Sequence, residues 1–376
     1  FQAEDGIRDS VASRGLGDVY KRQDIPRIKK QNPKLKAQLL LGFLFFWIGC
    51  STPRDITNFT GHTMGTTFSI KIIPTESFNN YQKLELGIDS VLEAVNQKMS
   101  TWDPNSELSK FNRIRSTDPI PVSAQLFEVV ESAMSISEKT DGAFDITVFE
   151  LMGLWGFGPA PKNGMPTDEE ISKVLKRTGW DQIKLLDNSI KKLNPKIKID
   201  LNAIAKGYGV DQVFHYISSL GYTDMFVEIG GEIRCSGKNQ YNKSWSLGIE
   251  DPEHGASLDR DLAGVVILDD RAMATSGNYK NFVDFGSDVL GHTIDPKSGK
   301  PIITDVLSVT VLAESCMIAD GWATALMAMD FETGKKLVRS EKGLDVIWII
   351  ERPGAYRKIS STKNIKVSDS IYEIIN

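Results

Sequence analysis

The chain has 376 residues, of which 25% are charged and 41% are hydrophobic, and its formal net charge is −5. This composition excludes a disordered or collagen-like chain, and three Cys are too few for a disulfide framework. The acidic balance argues against nucleic-acid binding by charge alone. Because the chain has only four His, a zinc site built from His is not expected.

The first 49 residues are predicted to lie outside the folded domain. Residues 1–23 have no apolar period and resemble translated sequencing adaptor, so we interpret them as a non-native extension. A genuine polar extension is the alternative. Residues 24–49 join a basic segment to the apolar run 37–49, which is too short for a comfortable membrane span and is typical of an export signal.

Cys50 marks the expected processing point. It follows Gly49 at the end of the apolar run, as in bacterial lipoprotein signals, although Trp47 stands where such signals usually have Leu. We therefore expect lipidation of Cys50, a tether at 50–60, and a domain held at the periplasmic face of the bacterial cell membrane. The choice between inner and outer membrane stays open, and an uncleaved anchor would place the domain in the same compartment.

From residue 61 on, apolar periodicity predicts helices and strands without an internal repeat. The predicted strands are 66–73, 225–229, 245–249, 264–268, 307–312 and 344–350. The predicted helices are 84–99, 124–140, one opening at the capping box 167–170, 202–220 and 315–329. Because regular βαβ alternation is missing and strands cluster late, we predict an α+β fold with mainly antiparallel sheets and packed helices, with 61–376 as one domain.

Five clusters combine Gly, acidic and small polar residues inside apolar segments. They are 61–67, 99–104, 142–147, 200–208 and 291–296. In the first three, a tight turn, an aromatic lid on the core and a helix-to-strand turn are the structural alternatives. In the fourth, an acid at a helix start followed by Lys206 suits a cation and a phosphate, with N-capping as the alternative.

A metal site is indicated further along the chain. Asp320 and Thr324 are four residues apart, so they share one helix face among small apolar neighbours. A carboxylate on an apolar face needs a partner or a cation, and oxygen-only ligands favour Mg²⁺. The alternative is that Asp320 caps a helix or forms a salt bridge.

Together these residues resemble one family, the FAD:protein FMN transferases, or ApbE-type flavin transferases. Seven motifs appear in the family's order between about residues 61 and 330. They are HTMGT (62–66), MSTW (99–102), GAFD (142–145), DLNAIAKG (200–207), EIGGE (228–232), GHTIDP (291–296) and ADGWAT (319–324). The resemblance implies an ApbE-like, T-fold-related fold forming a single catalytic unit.

The resemblance also implies roles for individual residues. The residues that would contact FAD are Met64, Trp102, Ala143, Phe144, Asp145, Asp200, Lys206 and Ile294. Trp102 stands where the family commonly has Tyr, which keeps an aromatic face and loses a phenol hydroxyl. The residues that would hold Mg²⁺ are Asp320, Thr324, Ala203 through its carbonyl, and Ala323 through its backbone. His292 and Asp295 would activate the acceptor hydroxyl, a role that suits His as a base.

The activity implied by the resemblance is Mg²⁺-dependent transfer of FMN from FAD to a Thr or Ser hydroxyl of an acceptor protein, with release of AMP. The implied acceptors are exported flavoproteins such as subunits of Na⁺-pumping NADH:quinone reductase or the Rnf complex. A Mg²⁺-dependent FAD pyrophosphatase and a non-catalytic flavin-binding lipoprotein remain the alternatives. Pairing of Cys235 with Cys316 is left open.

Overall fold

The computed structural model describes residues 53–74, 81–252, 262–277, 282–284, 289–291, 293–351, 357–361, 366–367 and 372–375. The extension at 1–23, the export signal at 24–49, Cys50 and His292 lie outside the described residues. Within them, no helix has the length and apolar character needed to cross a bilayer.

The described residues form seventeen strands and eight helices, labelled in chain order. Strands β1 to β17 are Thr57–Thr63, Thr66–Ile72, Ile120–Pro121, Ile183–Leu186, Ser189–Lys192, Met225–Ile229, Glu232–Ser236, Trp245–Glu250, Leu262–Leu268, Ala272–Gly277, Phe282–Asp284, Val289–Gly291, Val306–Ala313, Asp345–Glu351, Arg357–Ser361, Lys366–Val367 and Tyr372–Ile375. Helices α1 to α8 are Tyr81–Met99, Glu107–Arg113, Ala124–Lys139, Phe149–Leu154, Asp168–Leu175, Ala205–Ser219, Cys316–Met327 and Phe331–Ser340. Short 3₁₀ turns lie at Ile146–Val148 and Trp180–Gln182.

Nine strands form the main sheet, in the order β1-β2-β6-β7-β10-β13-β14-β15-β17. Neighbouring strands are antiparallel except for β15 and β17, which are parallel. Smaller sheets join β16 to β9 and β8, β3 to β5 and β4, and β11 to β12. The predicted α+β fold with mainly antiparallel sheets is confirmed.

The main sheet is buried on both faces. In β14, Val346 and Trp348 belong to the core under the helices, whereas Ile347 and Ile349 belong to the core shared with β8 and β9. This alternation follows from the two-residue period of a strand. Because both faces are apolar, β13 and β14 appear in the sequence as continuous apolar runs.

The predicted elements after residue 61 are present, with small shifts at their ends. The capping box of Thr167 and Glu170 is formed in both directions at the start of α5. Strand β1 begins inside the segment expected to be a tether, because Thr57 pairs with Ile72 across the first hairpin. A free tether therefore ends before Thr57. Helix α6 begins at Ala205 rather than at residue 202, because 201–204 form a turn.

Candidate active site

A cavity of about 460 Å³ opens between the starts of α6 and α7, the β6–β7 turn and the loop at 293–296. It unites segments that are far apart in the sequence. The predicted site residues that line it are Ala143, Phe144, Asp145, Asp200, Ala203, Lys206, Ile294, Asp320 and Thr324. The helix-start cluster and the carboxylate–hydroxyl pair on α7 therefore belong to one site.

The turn before α6 is fixed by hydrogen bonds on both sides. Asn112 donates to the carbonyl of Ile199 and accepts from its N–H, each at 2.8 Å. The Asp200 carboxylate accepts from the backbone N–H of Asn202 at 2.7 Å, and burial raises the pKa of Asp200 to about 6. The turn brings Ala203 and Lys206 to the wall of the cavity.

Helices α6 and α7 meet at backbone distance beside this turn. The Asp320 carboxylate, only 3% exposed, accepts from the backbone N–H of Gly207 at 2.9 Å. A Cβ atom at Gly207 would lie 2.3 Å from the carbonyl oxygen of Cys316, so only glycine allows this approach. One turn further along α7, the hydroxyl of Thr324 lies 3.2 Å from that of Ser276 on β10.

Lys206 faces two buried carboxylates. Its ammonium lies 2.5 Å from an oxygen of Glu232, whose side chain is buried at the start of β7. Burial alone would lower the pKa of Lys206, but the charges of Glu232 and Asp320 raise it above its usual value. Burial likewise raises the pKa values of both carboxyls, while the charge of Lys206 opposes that shift. The site thus sets one cation against two acids.

These residues fit a divalent cation. The second carboxylate oxygen of Glu232 is buried without a hydrogen-bond partner, which leaves an acceptor unsatisfied in the cavity wall. Among the described residues, no group of three or more His, Cys, Asp or Glu side chains could hold a metal. A Mg²⁺ ion here would therefore use the Asp320 carboxylate, hydroxyl and backbone oxygens, and water.

The segment 143–145 lines the opposite wall. One oxygen of the buried Asp145 carboxylate accepts from the N–H and hydroxyl of Thr147, and the other accepts from the N–H of Trp180 at 2.9 Å. Burial raises the pKa of Asp145 to about 6 despite these bonds. Asp145 therefore anchors its own turn as well as lining the cavity.

The loop at 293–301 closes one end of the cavity. Ile294 lines the cavity and packs against Leu151 and Ile171. The carboxylate of Asp295 accepts from the backbone N–H groups of Lys297 and Ser298, and it does not line the cavity. Asp295 thus holds the shape of this loop, and its predicted role in activating the acceptor remains a prediction.

Three other predicted residues also lie off the cavity wall. Met64 occupies the β1–β2 turn with a positive φ of 51° and packs between two core clusters. Trp102 is 64% exposed in the turn after α1. Ala323 is fully buried in the core beneath α7, so only its backbone is available for the predicted role. Their flavin and metal roles remain predictions.

Sequence reasoning quoted the 228–232 motif but gave its acids no role. Glu228 and Glu232 are both buried and both line the cavity, and Glu228 accepts from the N–H of Gly231 at 2.8 Å. The available signal was two acids flanking a Gly-Gly turn after an otherwise apolar strand. Ser276 was also missed, because β10 carries no charged residue that would mark it as part of a site.

The fold and the cavity define an α+β ligand-binding protein whose site combines carboxylates, hydroxyls and one lysine. The model of the ApbE family matches residues 64–348. The chain therefore belongs to the ApbE family.

Two curated relatives are both named FAD:protein FMN transferase. The protein from Vibrio cholerae is 40% identical over 324 residues, covering 86% of this chain and 96% of the relative. The protein from Haemophilus influenzae is 36% identical over 330 residues, covering 84% of this chain and 94% of the relative.

Solved structures of family members share the fold. The flavin transferase ApbE from Vibrio cholerae superposes with a TM-score of 0.76 at 39% identity, covering 83% of this chain and 98% of that chain. The apo flavinyl transferase ApbE from Pseudomonas stutzeri gives a TM-score of 0.74 at 30% identity, covering 83% of this chain and 96% of that chain. The family expected from the sequence motifs is thus confirmed.

Proposed function

We propose that this chain transfers FMN from FAD to a Thr or Ser hydroxyl of an acceptor protein in a Mg²⁺-dependent reaction. The transferase activity follows from the family and from the names of the relatives. The observation that carries the finer proposal is that Lys206, Asp320 and Thr324 line a single cavity. A cation, a buried carboxylate and a hydroxyl at one point suit a metal-bound diphosphate.

In this proposal, Asp320, Thr324 and the carbonyl of Ala203 hold Mg²⁺, with the backbone at Ala323 close by. The ion would supply charge neutralisation at the FAD pyrophosphate. Lys206 adds a second positive charge, and Glu232 holds its ammonium in the cavity at 2.5 Å. These residues bind and orient the diphosphate, which is the main protein contribution in phosphoryl-type transfer.

The rest of the cavity suits the rings of FAD. Its wall includes the apolar side chains of Met152, Ile233, Ile249, Leu262 and Met273. Apolar walls with a few convergent polar groups are typical of cofactor sites. We propose that Phe144 and Ile294 extend this apolar surface and that Met64 and Trp102 meet the flavin when it is bound.

The reaction joins the acceptor oxygen to the FMN-side phosphorus and breaks the bond from that phosphorus to the AMP oxygen. AMP leaves, and the proton of the acceptor hydroxyl passes to a base. His292 is the proposed base, and Asp295 fixes the loop that follows it through bonds to the N–H groups of Lys297 and Ser298.

Further parts of the proposal concern location and partners. We propose that Cys50 carries a lipid anchor and that the domain acts at the periplasmic face of the membrane. The acceptors would be exported flavoproteins, such as subunits of Na⁺-pumping NADH:quinone reductase or the Rnf complex. An anchored enzyme would meet such membrane-bound acceptors directly.

The test combines the protein with FAD, MgCl₂ and an acceptor domain, and measures covalent flavin fluorescence on the acceptor together with AMP. The proposal expects one AMP for each FMN attached, and no product with EDTA. Free FMN and AMP without labelled acceptor would indicate a pyrophosphatase. Flavin binding without AMP release would indicate a non-catalytic protein. Either result would reject the transfer reaction.

A further inference from the structure

Asp211 is a buried carboxylate that no step above uses. It lies on α6, is 5% exposed, and does not line the cavity. It is four residues after Gly207, so both residues point from the same face of α6 towards α7. Buried carboxylates need partners, and those of Asp211 lie mainly at the first turn of α7.

Four donors surround the Asp211 carboxylate. One oxygen accepts from the N–H of Cys316 at 3.0 Å and from the guanidinium of Arg234 at 2.6 Å. The other accepts from the hydroxyl of Ser315 at 2.7 Å and from the N–H of Met317 at 2.9 Å. A side chain of α6 therefore satisfies the backbone donors that a helix leaves open at its N-terminus.

This arrangement fixes more than the end of α7. Two adjacent N–H groups bound to two oxygens of one carboxylate set both the position of α7 along its axis and its rotation. Cys316 and Asp320 are one helical turn apart, so they share the face that meets α6. The position of Asp320 against Gly207, with its 2.9 Å hydrogen bond, is thus set from the first turn of α7.

Arg234 restrains Asp211 from the other side. Its guanidinium lies over the ring of Phe214 at 4.3 Å, and it comes from β7, the strand that also begins with Glu232. The charge of Asp211 is therefore balanced without the use of Lys206. The sheet, α6 and α7 are joined through this single carboxylate.

We propose that Asp211 is a positioning residue for the Mg²⁺ site, which acts by fixing Asp320 through the first turn of α7. This inference rests on the proposed function, because it assumes that Asp320 binds Mg²⁺. Outer partners that orient metal ligands typically change metal affinity by about 10- to 100-fold when they are lost.

The test is Asp211→Asn, which keeps the size of the side chain. An amide has one acceptor oxygen, and its NH₂ group would face donors of the α7 turn. Isothermal titration of the full folded chain with MgCl₂ is expected to show a Kd raised by about 10- to 100-fold. Activity should recover at high MgCl₂, so that the apparent KM for Mg²⁺ rises while kcat changes little.

Asp330→Asn is the matched control. Asp330 is an exposed N-cap whose carboxylate accepts from the N–H of Thr333 at 3.0 Å at the start of α8, away from the cavity. This variant is expected to keep the wild-type Mg²⁺ affinity. If Asp211→Asn does not fold, Ser315→Ala removes one of the four donors and should raise the Mg²⁺ Kd by a smaller factor.

The outcomes separate this inference from the proposed function. Wild-type protein that binds no Mg²⁺, or binds it equally after Asp320→Ala, would reject the metal site itself. Wild-type protein that loses Mg²⁺ binding in Asp320→Ala but keeps it in Asp211→Asn, or in Ser315→Ala where only that variant folds, would overturn the role of Asp211 alone. A lowered Tm with unchanged Kd would assign Asp211 to stability only.

Discussion

The two ends of the cavity are held in different ways. At one end, α6 and α7 are joined by buried hydrogen bonds, from the N–H of Gly207 to Asp320 and from the first turn of α7 to Asp211. These bonds lie away from water, and breaking one would leave a buried polar group without a partner. Such losses are costly and local rearrangement does not easily compensate for them.

At the other end, the 293–301 loop is attached mainly at the surface. Lys297 pairs with Asp141 at 2.6 Å, although their side chains are 60% and 93% exposed. A second exposed pair joins Lys300 to Asp168 on α5. Buried contacts here are fewer, chiefly Ile294 in its apolar cluster and the indole N–H of Trp155 bonded to the carbonyl of Gly299.

This difference agrees with the division of labour that we propose. The end for the metal and diphosphate serves one ligand of fixed shape, and rigid placement favours such chemistry. The loop end would meet a protein acceptor, and loops tolerate the adjustment that protein partners require. The predictions below test this comparison, from the largest expected effect to the smallest.

Asp320→Asn tests the rigid end most directly. The amide oxygen can still accept from the N–H of Gly207, so the fold should persist, and removing a buried charge should not lower the Tm. Transfer activity is expected to fall by about 10³-fold, because a metal ligand is lost. Activity is measured by acceptor fluorescence and folding by thermal melting. Normal transfer in a folded variant would remove Asp320 from the site.

Gly207→Ala tests the close approach of the two helices. The added Cβ would lie 2.3 Å from a backbone oxygen, so the helices must separate, with a cost of about 3 kcal/mol in the free energy of unfolding. Urea unfolding measures the cost. Gly153→Ala is the control in α4 at the loop end, where the nearest atom is at 3.4 Å. Equal costs for both variants would contradict the comparison.

Asp145 predicts a pH dependence of stability. Its pKa is raised from 3.8 to about 6 by burial, so the folded state binds the proton more tightly than the unfolded state. Its contribution is complete below about pH 4 and is lost as pH rises to about 6, by at most about 3 kcal/mol. Asp145→Asn should flatten this fall in urea unfolding between pH 4 and pH 7.

Asp141→Asn gives the matched control for that slope. Lys297 holds the pKa of the exposed Asp141 below its usual value, so the contribution of Asp141 is present above about pH 4 and lost as pH falls. Its removal should therefore change the slope in the opposite sense to Asp145→Asn. The same sign for both variants would refute the assignment of the two environments.

Lys297→Met tests the loop end and has the smallest expected effect on stability. The pair with Asp141 is exposed, so the Tm should change by about 1 °C or less. The binding of FAD and Mg²⁺ should remain unchanged, while the KM for the acceptor rises by about 2- to 5-fold because the loop is less firmly attached. A loss of Mg²⁺ affinity would show that the two ends are coupled.

Local signals in the sequence were sufficient for most elements. The capping box at Thr167 and Glu170 marked the start of α5, and the spacing of Asp320 and Thr324 placed both on one face of α7. These succeed because helix caps and helix periodicity involve residues a few positions apart. The same reasoning missed β1, since its pairing with β2 depends on a partner strand rather than on its own pattern.

The sequence by itself determined the family, the α+β class and the residue types available for the chemistry, because motifs and periodicity are local properties of the chain. Only the tertiary structure decided that Glu232 pairs with Lys206, that Asp211 holds the first turn of α7, and that the side chain of Trp102 is exposed. These facts depend on which distant segments meet, and on burial, which sets the cost of a charge or an unpaired polar group once water is removed.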